Sequence, residues 1–207
     1  MTQEEIQNKL KDIKKSFRLV MDGVTAQSMR DKGLDYHINW GAAVPRLKAM
    51  AKEIDKDYGL SVALWKENIR ECKILATLVM PVDMMESDMV DLWMEQTDSV
   101  EIAEMASLNL YQYLPFAAEK AYQWIASDKE LYQLCGFHVL SRLFMNGQQP
   151  NERGINEFLD QWQVAVCGSS VMVRKAAVAA LLRFAGLGLV YERMASTVSR
   201  RTGFDII

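Results

Sequence analysis

Few residues in this chain are spaced for chemistry. Asp98 and Glu101 stand three apart in Thr97-Asp98-Ser99-Val100-Glu101, a run that reads as a helix start. A carboxylate offers electrostatic chemistry, the stabilisation of nearby positive charge. It also has an ordinary use there, because an acid in a first turn meets the positive end of the helix dipole. The chain contains no Gly-rich phosphate loop, His-x-x-x-His pair, Cys-x-x-Cys motif or Gly-x-Ser-x-Gly elbow. No metal and no cofactor is therefore expected. His37 and His138 stand alone, and His138, set among Cys135, Phe137, Val139 and Leu140, reads as a core histidine. Ser169-Ser170 most simply caps a helix.

The elements that must position these residues read as helices. Half of the 207 residues are hydrophobic, with four prolines and eleven glycines, a mix that favours helix and suffices for one sizeable core. Thr2-x-x-Glu5 is a capping box opening a helix with an apolar stripe at Ile6, Leu10, Ile13, Phe17 and Val20. Gly23 and Gly33 bracket a short piece. A helix is predicted from about Val44 to Tyr58, ended by Gly59. Ser61 then caps a helix in which Leu64, Trp65, Ile69, Cys72 and Ala76 recur at spacings of three and four. Trp65 reads as core, and Arg70 and Glu71 as ties between neighbouring helices. Beyond Pro81 come helices over Glu86–Glu95 and Ser99–Tyr113, another begun by Pro115, and one opened by a capping box at Ser127-x-x-Glu130 that runs to about Met145. After the loop at 147–151, helices over Glu152–Val166 and from Ser169 or Ser170 to Ala185 follow. Gly186 and Gly188 interrupt the last helical region. Helix pairs starting near Val44, Glu86, Pro115 and Glu152 recur at roughly thirty to forty residues, the period of stacked two-helix repeats.

Charge is uneven. The net is −3, but residues 61–130 hold five basic and thirteen acidic side chains, leaving a mildly basic beginning and end. Met84, Met85, Met89 and Met94 cluster densely enough for an adaptable surface. No apolar run approaches the ~18 residues of a membrane span, and the N-terminus does not read as a secretory signal. Cys72, Cys135 and Cys167, odd in number and far apart, read as buried free thiols, so a cytoplasmic location is expected.

Three segments carry a family resemblance: Tyr36-His37-Ile38-Asn39-Trp40-Gly41-Ala42-Ala43-Val44-Pro45-Arg46-Leu47-Lys48, then Leu64-Trp65 with Arg70-Glu71 and Ala76, then Asp98-Ser99-Val100-Glu101. In order and spacing, from about Thr25 to Phe184, the chain resembles the AlkD-type DNA alkylation repair family of HEAT-like helical proteins. The resemblance implies an all-α, HEAT-like or armadillo-like solenoid of paired antiparallel helices, curved and single-domain. Its N-terminal helices would be 1–43, its helix pairs 44–185 and its C-terminal helix and tail 186–207. It implies double-stranded DNA with alkylated bases as partner, and a cleft that excises cationic alkylated purines through carboxylate and aromatic stabilisation of positive charge.

Carried over residue by residue, Glu101 falls at the catalytic aspartate and Asp98 at the first aspartate of the signature. Thr97 falls at a stacking tryptophan, for which Trp93, four residues earlier, is the candidate replacement. A second tryptophan and an arginine fall at Ala179 and Leu182, and a further arginine at Leu134. Arg46, Lys48, Arg174, Lys175 and Arg183 are the candidate phosphate contacts. The competing function is a non-enzymatic scaffold binding a protein or nucleic acid, through the Met-rich acidic middle in the protein case.

Overall fold

The computed structural model describes residues 1–34 and 36–204. Among them the chain forms twelve α-helices and one isolated β-bridge. It divides into two compact units, Met1–Met89 and Val90–Ile207.

In the first unit, α1 (Gln3–Ser16) opens on the expected capping box. The Thr2 hydroxyl accepts from the Glu5 N–H, and the Glu5 carboxylate accepts from the Thr2 N–H. Ile6, Leu10, Ile13 and Phe17 are buried, as their spacing requires. After α2 (Gly23–Asp31) comes α3 (Val44–Glu53), with Pro45 in its first turn. This helix is shorter than the predicted Val44–Tyr58. Gly59 does not end it but lies inside α4 (Tyr58–Lys66), where a Cβ would stand 2.6 Å from Ile6 Cδ1 of the packed α1. Asp57 caps α4, and Ser61, predicted as its cap, is buried with its hydroxyl donating to the Ala76 carbonyl.

The predicted Leu64–Ala76 helix is two helices. Glu67 and Ile69 take extended backbone, and α5 (Arg70–Val79) starts afresh. A bridge explains the break: Ile69 pairs with Ile38, and the Arg70 N–H donates to the Ile38 carbonyl at 3.0 Å. Arg70 and Glu71 are fully enclosed. Glu71 accepts from the Trp40 and Ala42 N–H groups, while Arg70 Nη1 donates to Glu71 at 3.0 Å and to the Ala42 carbonyl at 2.9 Å. The pair therefore fixes a loop against α5 rather than joining two helices. Gly41 lies in that loop at φ +70°, and a Cβ there would collide with the Asp22 carbonyl oxygen.

The boundary between the units falls within α6 (Ser87–Glu95). Beyond it run α7 (Val100–Asn109), α8 (Ala117–Ile125), α9 (Glu130–Met145), α10 (Glu152–Cys167), α11 (Val171–Ala185) and α12 (Leu189–Arg201). Helices α7, α9 and α11 pack side by side as one layer, and α8, α10 and α12 as a second. The successive pairs α8–α9 and α10–α11 repeat as the predicted spacing demands. Phe137, Phe144, Phe158, Phe184 and Tyr191 form a continuous aromatic chain through α9, α10, α11 and α12. Lys120 of α8, nearly buried, reaches both oxygens of Asp91 on α6 at 2.6 Å. Two predicted caps fail. Lys129 stands at the N-cap of α9, so Ser127 lies two residues too early, and Ser170 starts α11 without a side-chain bond.

Cys72 and Cys135 are buried, and desolvation pushes both thiols up to about 12. Cys167, expected to be buried, is exposed at the end of α10. A thiol reagent at mildly alkaline pH is expected to label Cys167 in the folded protein and spare the other two until denaturant is added. Counting labelled thiols with and without urea checks this, and rapid labelling of all three in buffer would contradict it.

Candidate nucleic-acid interface

The layer of α7, α9 and α11 carries most of the residues singled out by sequence. Ser99 caps α7, its hydroxyl accepting from the Ile102 N–H at 3.3 Å. That cap leaves Asp98 exposed just outside the helix and sets Glu101, half-buried, in the first turn, at the positive end of the helix dipole. Glu104 follows one turn later.

The aromatic part of the expected cleft is different. Thr97 is buried, and its hydroxyl donates to the Trp93 carbonyl at 2.8 Å. Trp93 is 1% exposed, so its ring is core and offers no face to a base. The expectation that Trp93 fills the place of the missing tryptophan is corrected on that ground. A cleft of about 310 Å³ does border Thr97, and the ring that lines it is Tyr132. Lys129 Nζ stands 4.9 Å from the centroid of that ring, with Glu95 also in the lining.

On α9, Leu134 is buried, as a core leucine should be. His138 is not the core histidine its neighbours suggested. Its side chain is 26% exposed, and Nε2 lies 3.7 Å from the Glu104 carboxylate on α7. One turn on, Arg142 Nε donates to Gln112 Oε1 at 3.2 Å. Sequence reasoning missed this polar row. Its signal was the four-residue spacing of His138 and Arg142, which places both on one helical stripe.

On α11, Val171, Lys175, Ala179, Leu182 and Arg183 are exposed. Lys175 and Arg183 stand eight residues, about 12 Å, apart along the helix, with Ala179 and Leu182 between them. Arg174 is partly buried, and its Nη2 donates to the Gly168 carbonyl at 2.6 Å, bracing the turn between α10 and α11. In the first unit, Arg46 and Lys48 are exposed on α3 either side of the buried Leu47. The methionine cluster is largely interior: Met85 and Met94 are buried, and Met84 is the exposed one. No helix among the described residues is long and apolar enough to cross a membrane.

Comparison with known proteins bears on both fold and family. The model of the family described as DNA alkylation repair enzyme matches residues 13–186. A solved structure described as "A new family of proteins related to the HEAT-like repeat DNA glycosylases with affinity for branched DNA structures" superposes with a TM-score of 0.82. The two sequences are 17% identical, and the match covers 93% of this chain and 83% of that one. No curated protein matched the sequence. Folded as a HEAT-like repeat protein and matched by the family pattern from Ile13 to Gly186, this chain belongs to the DNA alkylation repair enzyme family.

Proposed function

We propose that this protein binds DNA through its phosphates and does not excise bases from it. One observation carries the reading. Lys175 and Arg183 of α11 stand exposed, while the places for stacking rings hold the buried Thr97 and the aliphatic Ala179, and the candidate replacement Trp93 is enclosed. Excision of a cationic base needs charge stabilisation from a carboxylate and aromatic faces together. Glu101, with Asp98 beside it, can supply only the carboxylate. Phosphate contact needs only exposed positive charge. Lys175 and Arg183 provide it on α11, Arg46 and Lys48 provide it on α3, and Arg174 adds its charge while holding the Gly168 turn.

On this reading methylated and unmethylated duplexes bind alike, and affinity does not depend on sequence. The affinity of the structural relative for branched DNA makes branched duplexes the first ligands to try. A cytoplasmic location fits the two enclosed thiols, Cys72 and Cys135.

The test is single-turnover release of methylated purines from a methylated duplex, with Glu101→Gln beside the unaltered protein. Release at the spontaneous rate in both, at protein concentrations that saturate the DNA, is expected. Faster release that disappears in Glu101→Gln would instead make Glu101 the cation-stabilising acid of a working glycosylase. Binding itself should fall steeply with salt, and Lys175→Gln with Arg183→Gln should lower the slope of log K against log salt by about 2.

A further inference from the structure

A groove of about 350 Å³ runs between α10 and α12, in the layer that does not carry the α11 stripe. Arg193 and Arg201 of α12 line it, with Asn156 and Asp160 of α10 facing them. Both arginines are exposed, and among the described residues neither makes an ion pair. Positive charge at the end of a helix has an ordinary explanation in the dipole, and this covers Arg200 and Arg201. It does not cover Arg193, the fifth residue of α12, which lies toward the positive end where a cation gains nothing. Arg193 and Arg201 are eight residues apart, about 12 Å along the axis, and open on one groove. That span matches several successive phosphates of one strand, which repeat about every 3.4 Å along the duplex axis. The Asn156 amide adds a neutral donor suited to phosphate or sugar oxygens.

We infer that this groove is a second DNA-contact surface, which takes the sugar–phosphate backbone of a further arm of a branched DNA. The inference rests on the DNA-binding reading given above. No residue of α11 lines the groove, so a straight duplex held by Lys175 and Arg183 addresses the other layer. A branch sends a strand away from that axis, and the arginines of α12 stand ready to pair with it. Arginine is suited to the task because its planar fork can engage two phosphate oxygens at once. Asp160 opposes an anion in the groove, which supplies a second handle.

The experiment measures the affinity of the full chain for a four-way junction and for a linear duplex of the same sequence, across a salt series. It compares the unaltered protein, the Arg193→Gln/Arg201→Gln double variant, and Asp160→Asn. The double variant should lose about tenfold in junction affinity and about 2 in junction salt slope, with linear-duplex affinity unchanged. Asp160→Asn should bind the junction more tightly and the duplex as before. All the altered side chains are exposed, and matching thermal melts establish that the variants fold. If the double variant binds the junction as the unaltered protein does, or loses junction and duplex affinity equally, the groove is not a second contact surface and the α11 reading survives. If the unaltered protein binds neither DNA, the DNA-binding reading itself falls and this inference falls with it.

Discussion

Glu71→Ala is expected to destabilise the first unit by about 3–5 kcal/mol, the range for breaking a buried ion pair by removing one partner. Glu71 is fully enclosed and Arg70 is 1% exposed. Removing the carboxylate takes a charged partner at 3.0 Å from the buried Arg70 guanidinium. It also takes the acceptor from the Trp40 and Ala42 N–H groups, which lie in a loop with no helix of its own to satisfy them. Urea unfolding followed by tryptophan fluorescence, with Trp40 and Trp65 reporting on this unit, measures the loss. The double change Arg70→Met/Glu71→Leu should recover only the ion-pair part of it, because the pair is of modest net value to keep while the Trp40 and Ala42 N–H groups still lack their acceptor. A loss within about 1 kcal/mol for Glu71→Ala would place the pair among ordinary surface ion pairs and contradict the account.

A smaller loss is expected from one methyl group at Gly136→Ala in α9. An added Cβ would lie 2.8 Å from both the Ala121 carbonyl oxygen and the Ile125 nitrogen of α8, and 2.7 Å from Ile125 Cγ2. Two of these three atoms are backbone and cannot rotate aside, so the helices themselves must separate. Overpacking of this kind costs about 1–3 kcal/mol. The better helix propensity of alanine returns about 1 kcal/mol at most. The midpoint of thermal unfolding should fall by several degrees, against no appreciable change for Ser141→Ala on the same helix. An unchanged midpoint for Gly136→Ala would mean that α8 and α9 are not packed this closely.

Local rules were legible where the interaction is local. The Thr2–Glu5 box, the buried stripe of α1 and the first-turn proline of α3 follow from neighbours within a few residues, and they stand as read. What could not be read was set by partners far along the chain. The Leu64–Ala76 periodicity is genuine, yet the Ile38 bridge and the Glu71 bonds to Trp40 and Ala42 outweigh the helix continuing through Glu67–Ile69. Gly59 looked like a stop signal because a glycine excused by the approach of Ile6 leaves no mark in its own neighbourhood. The candidate site followed the same division. Sequence spacing placed Glu101 in a first turn and Asp98 just ahead of it, where they are. It could not say which way Trp93 faces, because a tryptophan one turn from the missing ring fits a cleft and a core equally well. His138 failed for the opposite reason: burial of its neighbours Cys135, Phe137, Val139 and Leu140 still leaves it partly exposed, with Nε2 3.7 Å from Glu104.

The Arg70–Glu71 clasp also determines how the first unit breathes. The Trp40 and Ala42 amides and the Ala42 carbonyl are held by side chains at the first turn of α5, roughly thirty residues away in sequence. The loop cannot lift off by itself without taking from Glu71 the two N–H groups it accepts from and from Arg70 Nη1 the carbonyl it donates to. Loop and helix start therefore open as a single foldon, and a segment with no regular secondary structure takes on the slow hydrogen exchange of the helix that holds it.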